Sequence, residues 1–194
     1  MKTGLGIDVL EASKRRIAYT FDNFEKIIVS FSAGKDSTCM LHLVCDEARR
    51  RNRKVAVMLI DLEGMYKKTI AHAERCREMY KDCTEWYWIC LPIHLRNAVS
   101  VYQPFWKCWD PMQKEMWIRE MPKDCISDVN YFPFFKDGME FEEFDVLFAQ
   151  WYAQGKSCAV HIGIRADESL NRYRTIANRH KITHNGNMWT TKII

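Results

Sequence analysis

Six consecutive residues, Ser32-Ala33-Gly34-Lys35-Asp36-Ser37, combine the side chains and backbone freedom that anion binding needs. Three small residues let the main chain bend closely around a negative group, and the amides opening a following helix offer it the positive end of the helix dipole. Lys35 adds a full charge, and Ser32 and Ser37 add hydroxyl donors. Asp36 is the odd member, because a carboxylate beside phosphate repels it unless it orients an amide or holds a metal ion. An N-capping serine in an ordinary strand-to-helix turn would explain Ser32 or Ser37 singly, but not six suitable residues in a row.

Two common nucleotide motifs are excluded. A P-loop requires a glycine five residues ahead of the Gly-Lys pair and Ser or Thr after it, whereas this chain has Val29 and Asp36 there. A dinucleotide fingerprint requires three spaced glycines, and Gly4-Leu5-Gly6 lacks the third and follows no strand-like run.

The flanking pattern says which elements position these groups. Lys26-Ile27-Ile28-Val29-Ser30-Phe31 reads as a buried strand, and Met40, Leu41, Val44 and Ala48 after the loop recur at helical spacing. A second apolar run, Val55-Ala56-Val57-Met58-Leu59-Ile60, closes at Asp61. Strand, helix, strand with continuous apolar strands predicts a βαβ unit, and so a parallel, doubly wound α/β sheet with helices on both faces. In such sheets ligands bind beyond the carboxyl ends of the strands, where the six-residue turn falls. Further helices are predicted over 7–19, 66–80, 140–154 and 171–180, further strands over 85–91 and 157–163, and the start of another at Trp189. All five prolines fall between 92 and 133, with Trp106, Trp109, Trp117 and the cluster Tyr131-Phe132-Pro133-Phe134-Phe135. That spacing predicts an irregular, aromatic-packed insertion or lid over 92–139.

The chain of 194 residues reads as one domain, with 29 Lys and Arg against 25 Asp and Glu. A net charge of +4 excludes a polycationic nucleic-acid binder, and a solvated helix end explains the basic run over 49–54 better than a nucleic-acid contact does. The longest apolar stretch, 86–91, is far short of the roughly 18 residues of a membrane span, and the first residues lack a signal-peptide core. These features predict a cytoplasmic protein with no membrane partner. The eight cysteines form no C-x-x-C pair, which favours reduced, largely buried thiols over disulfides or zinc. Cys108, after Lys107, is the best candidate among them for a reactive thiol. His180 and His184 have metal-like spacing, but Asn185-Gly186 follows and predicts a surface loop. Aromatics over 102–117 could stack a base, although packing beneath a lid explains them as well.

The loop, in its place after Ile27-Ile28-Val29-Ser30-Phe31, resembles the PP-loop of the adenine nucleotide alpha-hydrolase superfamily. Ile162-Gly163-Ile164-Arg165-Ala166-Asp167-Glu168-Ser169 with Arg172 resembles the second signature of the phosphoadenosine phosphosulfate (PAPS) reductase family, and Ile60-Asp61-Leu62-Glu63 with Thr69 its second-strand end. The segment 96–111 is similar to a bacterial and phage subgroup of PAPS reductase-like proteins. The resemblance implies that Ser32, Ala33, Gly34, Lys35, Asp36 and Ser37 cradle terminal phosphates or a sulfate. It implies further that Asp61 and Glu63 lie near adenosine, that Arg165 and Arg172 face the phosphates from the far side, and that Asp167 and Glu168 belong to the same site. Lys35, Asp36 and Arg165 would then be catalytic.

The implied ligands are ATP or the sulfonucleotides PAPS and adenosine phosphosulfate (APS), with Mg2+ bridging phosphate oxygens. The implied reactions are ATP pyrophosphatase or adenylyl-transfer chemistry at the α-phosphate, or thiol-dependent PAPS reduction, in which a tail cysteine attacks sulfur and thioredoxin resolves the adduct. Such a Cys-Gly-x-His tail is not found here, so transfer at the α-phosphate is the first expectation, reductase the second, and a non-catalytic nucleotide-sensing or nucleic-acid-associated module the third. The family's C-terminal region is expected to be absent and its role supplied by a protein partner. Ala33 departs from the usual first glycine of the loop.

Overall fold

The computed structural model describes residues 6–97, 99, 101–164, 168–170, 172–174, 182–185 and 188–193. The strand runs become strands where apolar residues are unbroken: β1 (Lys26–Ser30), β2 (Val55–Ile60), β3 (Thr84–Ile89) and, later, β6 (Cys158–Gly163). Ile27, Ile28 and Val29 are all buried, so both faces of β1 are covered, as a central parallel strand requires. The covering helices are α1 (Val9–Asn23), α2 (Lys35–Arg50), α3 (Lys67–Met79) and α4 (Phe141–Ala153). Successive strand side chains point to opposite faces. On β3, Tyr87 meets Phe148, Trp151 and Tyr152 of α4, while Arg77 of α3 lies over Trp88. Helices therefore clothe the two sides of a doubly wound sheet.

Strand order is β3-β2-β1-β6-β8-β7, with β7 (Ile182–Asn185) and β8 (Met188–Ile193) at one edge. All pairings are parallel except β7 with β8, which is antiparallel. The chain winds outward from β1 to β3 and then returns to the other side of β1 with β6. Crossovers from β1 and β6 thus leave in opposite directions, and the crevice between their carboxyl ends is the switch point at which such sheets bind ligands.

The region 92–139 is irregular, as its prolines dictate. Its regular pieces are a hairpin of β4 (His94–Arg96) and β5 (Phe105–Lys107) and a 3-10 turn over Pro111–Met116. Phe132 and Phe134 seat its far end on Phe144 and Trp151 of α4.

Three sequence expectations need correction. Residues 182–185 form edge strand β7 rather than a loop; His180 lies outside the described residues. The basic run is a solvated helix end only in part: Arg49 and Arg50 close α2 and stay exposed, but the run also makes contacts the sequence did not suggest. Arg49 binds Asp82 and the Met79 carbonyl, Arg51 binds Glu47 and Asp22, and Arg53 donates to the carbonyls of Phe21, Phe24 and Glu25. The last carbonyls of a helix have no intrahelical donors, and Arg53 supplies them at the end of α1. Arg49, Arg51 and Arg53 therefore also act as struts between elements. The third correction concerns Cys108, whose side chain is fully buried and whose thiol points at the carbonyls of Leu91 and Ile93. Burial pushes it up to about 11, the reverse of what a nucleophile needs.

Candidate functional site: a phosphate loop at the switch point

The segment between β1 and α2 is a tight turn closed by its own side chains. Ser37 Oγ donates to the Gly34 carbonyl at 3.1 Å, accepts the Ser32 amide at 3.3 Å and lies 3.1 Å from Ser32 Oγ. Thr38 Oγ1 donates to the same Gly34 carbonyl at 2.8 Å and meets His72 Nε2 at 2.9 Å, tying α3 to the turn. Ser37 is buried, while Ser32, Gly34 and Lys35 are exposed. Gly34 is the N-cap of α2 and offers no side-chain acceptor to the amides of its first turn. A helix start without a side-chain cap leaves its amides and dipole to an outside anion.

Charge at the turn is held in a contact pair. Lys35 Nζ lies 2.8 and 2.9 Å from the two carboxylate oxygens of Asp36. The Lys35 side chain is 72% exposed, so the pair contributes little to stability and exchanges partners readily. Ala33 sits at φ +56°, in the left-handed region that the usual glycine occupies without strain. The departure noted in the sequence therefore falls on the residue where glycine is favoured.

The second strand end reaches the turn through Gly163. Ser30 pairs with Ile162, and a Cβ on Gly163 would stand 2.9 Å from Ser37 N and 3.0 Å from Ser37 Cα. Only glycine lets β6 close on the first turn of α2. Its place inside the Ile162-Gly163-Ile164-Arg165 motif was the available signal, but its role was not read from it. Arg165 and Asp167 lie outside the described residues. Glu168 and Arg172 are described and form an ion pair with each other, one helical turn apart.

Asp61 and Glu63 occupy different surroundings. Asp61 is completely buried at the end of β2. Its carboxylate accepts Trp88 Nε1 at 2.9 Å, the Glu63 amide at 3.0 Å and the Arg119 guanidinium, while its carbonyl accepts Trp109 Nε1. Glu63 accepts the amides of Trp109 at 2.7 Å and Ile118 at 3.1 Å, and its carbonyl takes Arg119 Nε. Glu63 and Trp109 both have positive φ, +63° and +52°. Two non-glycine residues persist in that region because these bonds over-determine them. The side chains that anchor the insertion are therefore Asp61, Glu63, Trp109 and Arg119. Arg119 and Trp109 carried no local signal, being 58 and 48 residues from Asp61.

Among the described residues no three His, Cys, Asp or Glu side chains cluster as metal ligands. Asp36 is the one carboxylate in the turn itself, which fits an ion that takes most of its ligands from phosphate oxygens and water. Among the same residues no helix is long and apolar enough to cross a membrane.

Comparison with known proteins agrees with the motif order. The model of the phosphoadenosine phosphosulfate reductase domain matches residues 26–186. Over 181 residues the chain is 43% identical to the uncharacterized protein YbdN of Escherichia coli (strain K12), an alignment that covers 93% of this chain and 44% of that protein. The chain thus spans less than half the length of this relative. With the loop after β1 and the glycine-bearing end of β6 meeting at the switch point, the chain belongs to the PAPS reductase domain family, a family of the PP-loop superfamily.

Proposed function

We propose that this protein binds an adenine nucleotide, ATP or a sulfonucleotide, with its phosphate or sulfate on the loop 32–37, and cleaves or transfers at the α-phosphate. The observation that carries this reading is the start of α2: no side chain caps it, Lys35 is exposed beside it, and it opens between the carboxyl ends of β1 and β6. An arriving anion takes the helix amides and draws Lys35 from Asp36, exchanging one weak surface pair for a charge-assisted bond to phosphate. Ser37 keeps the turn closed, and the exposed Ser32 hydroxyl would donate to the ligand. Arg165, from the second signature, would neutralise oxygens opposite Lys35, and Asp167, Glu168 and Arg172 would complete that side, with Arg172 exchanging Glu168 for the ligand. Asp61 and Glu63 would serve the nucleoside indirectly, by fixing the wall beside it. Asp36, once released by Lys35, would hold Mg2+, which when bound stabilises charge on the leaving pyrophosphate.

A second reading, thiol-dependent reduction of PAPS, rests on the family description. Against it, burial pushes Cys45, Cys76, Cys83, Cys108 and Cys158 up, away from thiolate chemistry. Release of pyrophosphate from ATP supports the proposal. Sulfite release from PAPS in the presence of a dithiol would replace it with the reductase reading, and binding of either nucleotide without turnover would replace it with a sensor. A protein partner could supply what the relative's additional length carries.

A further inference from the structure

Three donors converge on the Gly34 carbonyl: the Thr38 amide at 2.9 Å, Thr38 Oγ1 at 2.8 Å and Ser37 Oγ at 3.1 Å. A planar trans peptide points its C=O and the following N–H in opposite directions. Donors gathered on the carbonyl side therefore turn the Lys35 amide outward, away from the body of α2. That amide belongs to the helix start that no side chain caps.

One of the three donors is itself held by a neighbouring helix. Thr38 Oγ1 lies 2.8 Å from the Gly34 carbonyl oxygen and 2.9 Å from His72 Nε2 on α3. A threonine hydroxyl has a single proton and a carbonyl has none to offer. Two bare oxygens at that separation repel, so the hydroxyl proton lies on the line to Gly34. Nε2 is then the donor to Thr38 Oγ1, and it carries a proton. Cys76 Sγ stands 3.6 Å from the same nitrogen, and a protonated Nε2 has no lone pair for its S–H. The ring is held in place by Phe31, the residue before Ser32, whose centroid is 6.4 Å away and which itself meets Trp86 edge-on at 5.5 Å.

We propose that His72 is a positioning residue of the phosphate loop: by donating from Nε2 it commits the Thr38 hydroxyl to the Gly34 carbonyl and so aims the Lys35 amide at the bound anion. This role rests on the reading of the loop 32–37 as the phosphate or sulfate site. A helical threonine can bond back to the carbonyl four residues earlier unaided, but its hydroxyl is then free to turn to water. A donor on its oxygen removes that alternative and strengthens the bond it makes onward. Ser37 is a poorer anchor, since its bond to Gly34 is longer, at 3.1 Å, and its hydroxyl also meets Ser32 Oγ at 3.1 Å.

The test titrates ATP and PAPS into the full chain as wild type, His72→Phe, His72→Gln, Thr38→Val and the His72→Phe, Thr38→Val double variant. Phenylalanine keeps the ring against Phe31 without a donor, and glutamine supplies a donor without the ring. His72→Phe and Thr38→Val should each weaken the bound nucleotide by about five- to tenfold. The double variant should be within about twofold of the weaker single variant, because both break one chain of bonds. His72→Gln should recover to within about threefold of wild type. Wild-type binding that is indifferent to His72→Phe, losses that multiply in the double variant, or a glutamine no better than phenylalanine would overturn the proposal. A wild type that binds neither nucleotide would instead overturn the phosphate reading beneath it. Should His72→Phe fail to fold, long-range 1H–15N correlation in alkaline buffer reads the bond directly, with His72 assigned by its loss in His72→Gln. The expected ring carries its proton on Nε2 and shifts at that nitrogen in Thr38→Val; a bare Nε2 with the proton on Nδ1 contradicts the role given to His72.

Discussion

At the end of β1 the polar groups are exposed and lightly engaged; at the end of β2 they are buried and saturated. Lys35 and Asp36 form a solvated pair, and α2 begins without a side-chain cap. Asp61 and Glu63, by contrast, accept from Trp88, Trp109, Ile118 and Arg119. Both regions lie at carboxyl ends of neighbouring parallel strands, and both contain the acidic residues that binding sites favour. What separates them is whether the hydrogen-bonding capacity is already spent. A buried carboxylate with all its partners inside the protein is architecture, whereas a helix start without a side-chain cap keeps donors that a ligand can take.

The largest expected difference between the two regions is in stability. Asp61→Ala strands Arg119, Trp88 Nε1 and the Glu63 amide, and should lower unfolding free energy by about 3–5 kcal/mol in urea titration. Lys35→Ala should stay within about 0.5 kcal/mol of wild type. Similar losses from both would erase the distinction.

A buried polar group whose capacity is only partly met offers an intermediate case. His161, fully buried on β6, shares a 3.0 Å hydrogen bond with Thr20 Oγ1, while its Nδ1 has no hydrogen-bond partner. Burial, aided by Arg16, lowers it to about 4. The folded state then resists a proton that the unfolded chain accepts. Its contribution to stability is complete above about pH 6.5 and declines as pH falls towards 4, by up to about 3 kcal/mol. Asp145, raised to about 6 by burial, acts with the opposite sign, its contribution being lost as pH rises through that value. The two overlap, so the measurement is a comparison: His161→Gln should flatten the rise in urea midpoint between pH 4 and 6.5 relative to wild type.

Smaller effects probe the loop itself. Gly163→Ala forces a methyl against the backbone of Ser37 and should cost about 1–3 kcal/mol while weakening nucleotide binding, because β6 and the start of α2 must separate. Ala33→Gly removes left-handed strain at φ +56° and should change stability by no more than about 1 kcal/mol, in the stabilising direction, read as a shift in melting temperature. A marked destabilisation would mean that the Ala33 methyl is needed for packing.

The central motif was readable because strand, loop and helix are local: Ile27, Ile28 and Val29 announce β1, and Met40, Leu41, Val44 and Ala48 are all buried on α2. Gly163 was readable as part of a signature, but its closeness to Ser37 depends on which strands are neighbours. The employment of Asp61 and Glu63 was not readable, since their partners lie 27 to 58 residues away, on β3 and inside an irregular segment. The basic run was legible only in part for the same reason: Arg49 and Arg50 are the exposed end of α2, but Arg49, Arg51 and Arg53 also find partners on α1 and beyond α3. Strand β7, Ile-Thr-His-Asn, has too little apolar pattern to announce itself and forms by pairing with β8.

Isothermal titration with ATP and with PAPS, on the wild type and on Lys35→Ala and Asp36→Ala, tests the account most directly. It predicts that at least one nucleotide binds the wild type, that Lys35→Ala weakens it by about tenfold or more, and that Asp36→Ala does so in the presence of Mg2+. Tyr102→Ala, at a fully exposed position on the insertion, should leave the affinity unchanged. No heat with either nucleotide, or binding indifferent to Lys35, would contradict the assignment of the loop 32–37 as the anion site.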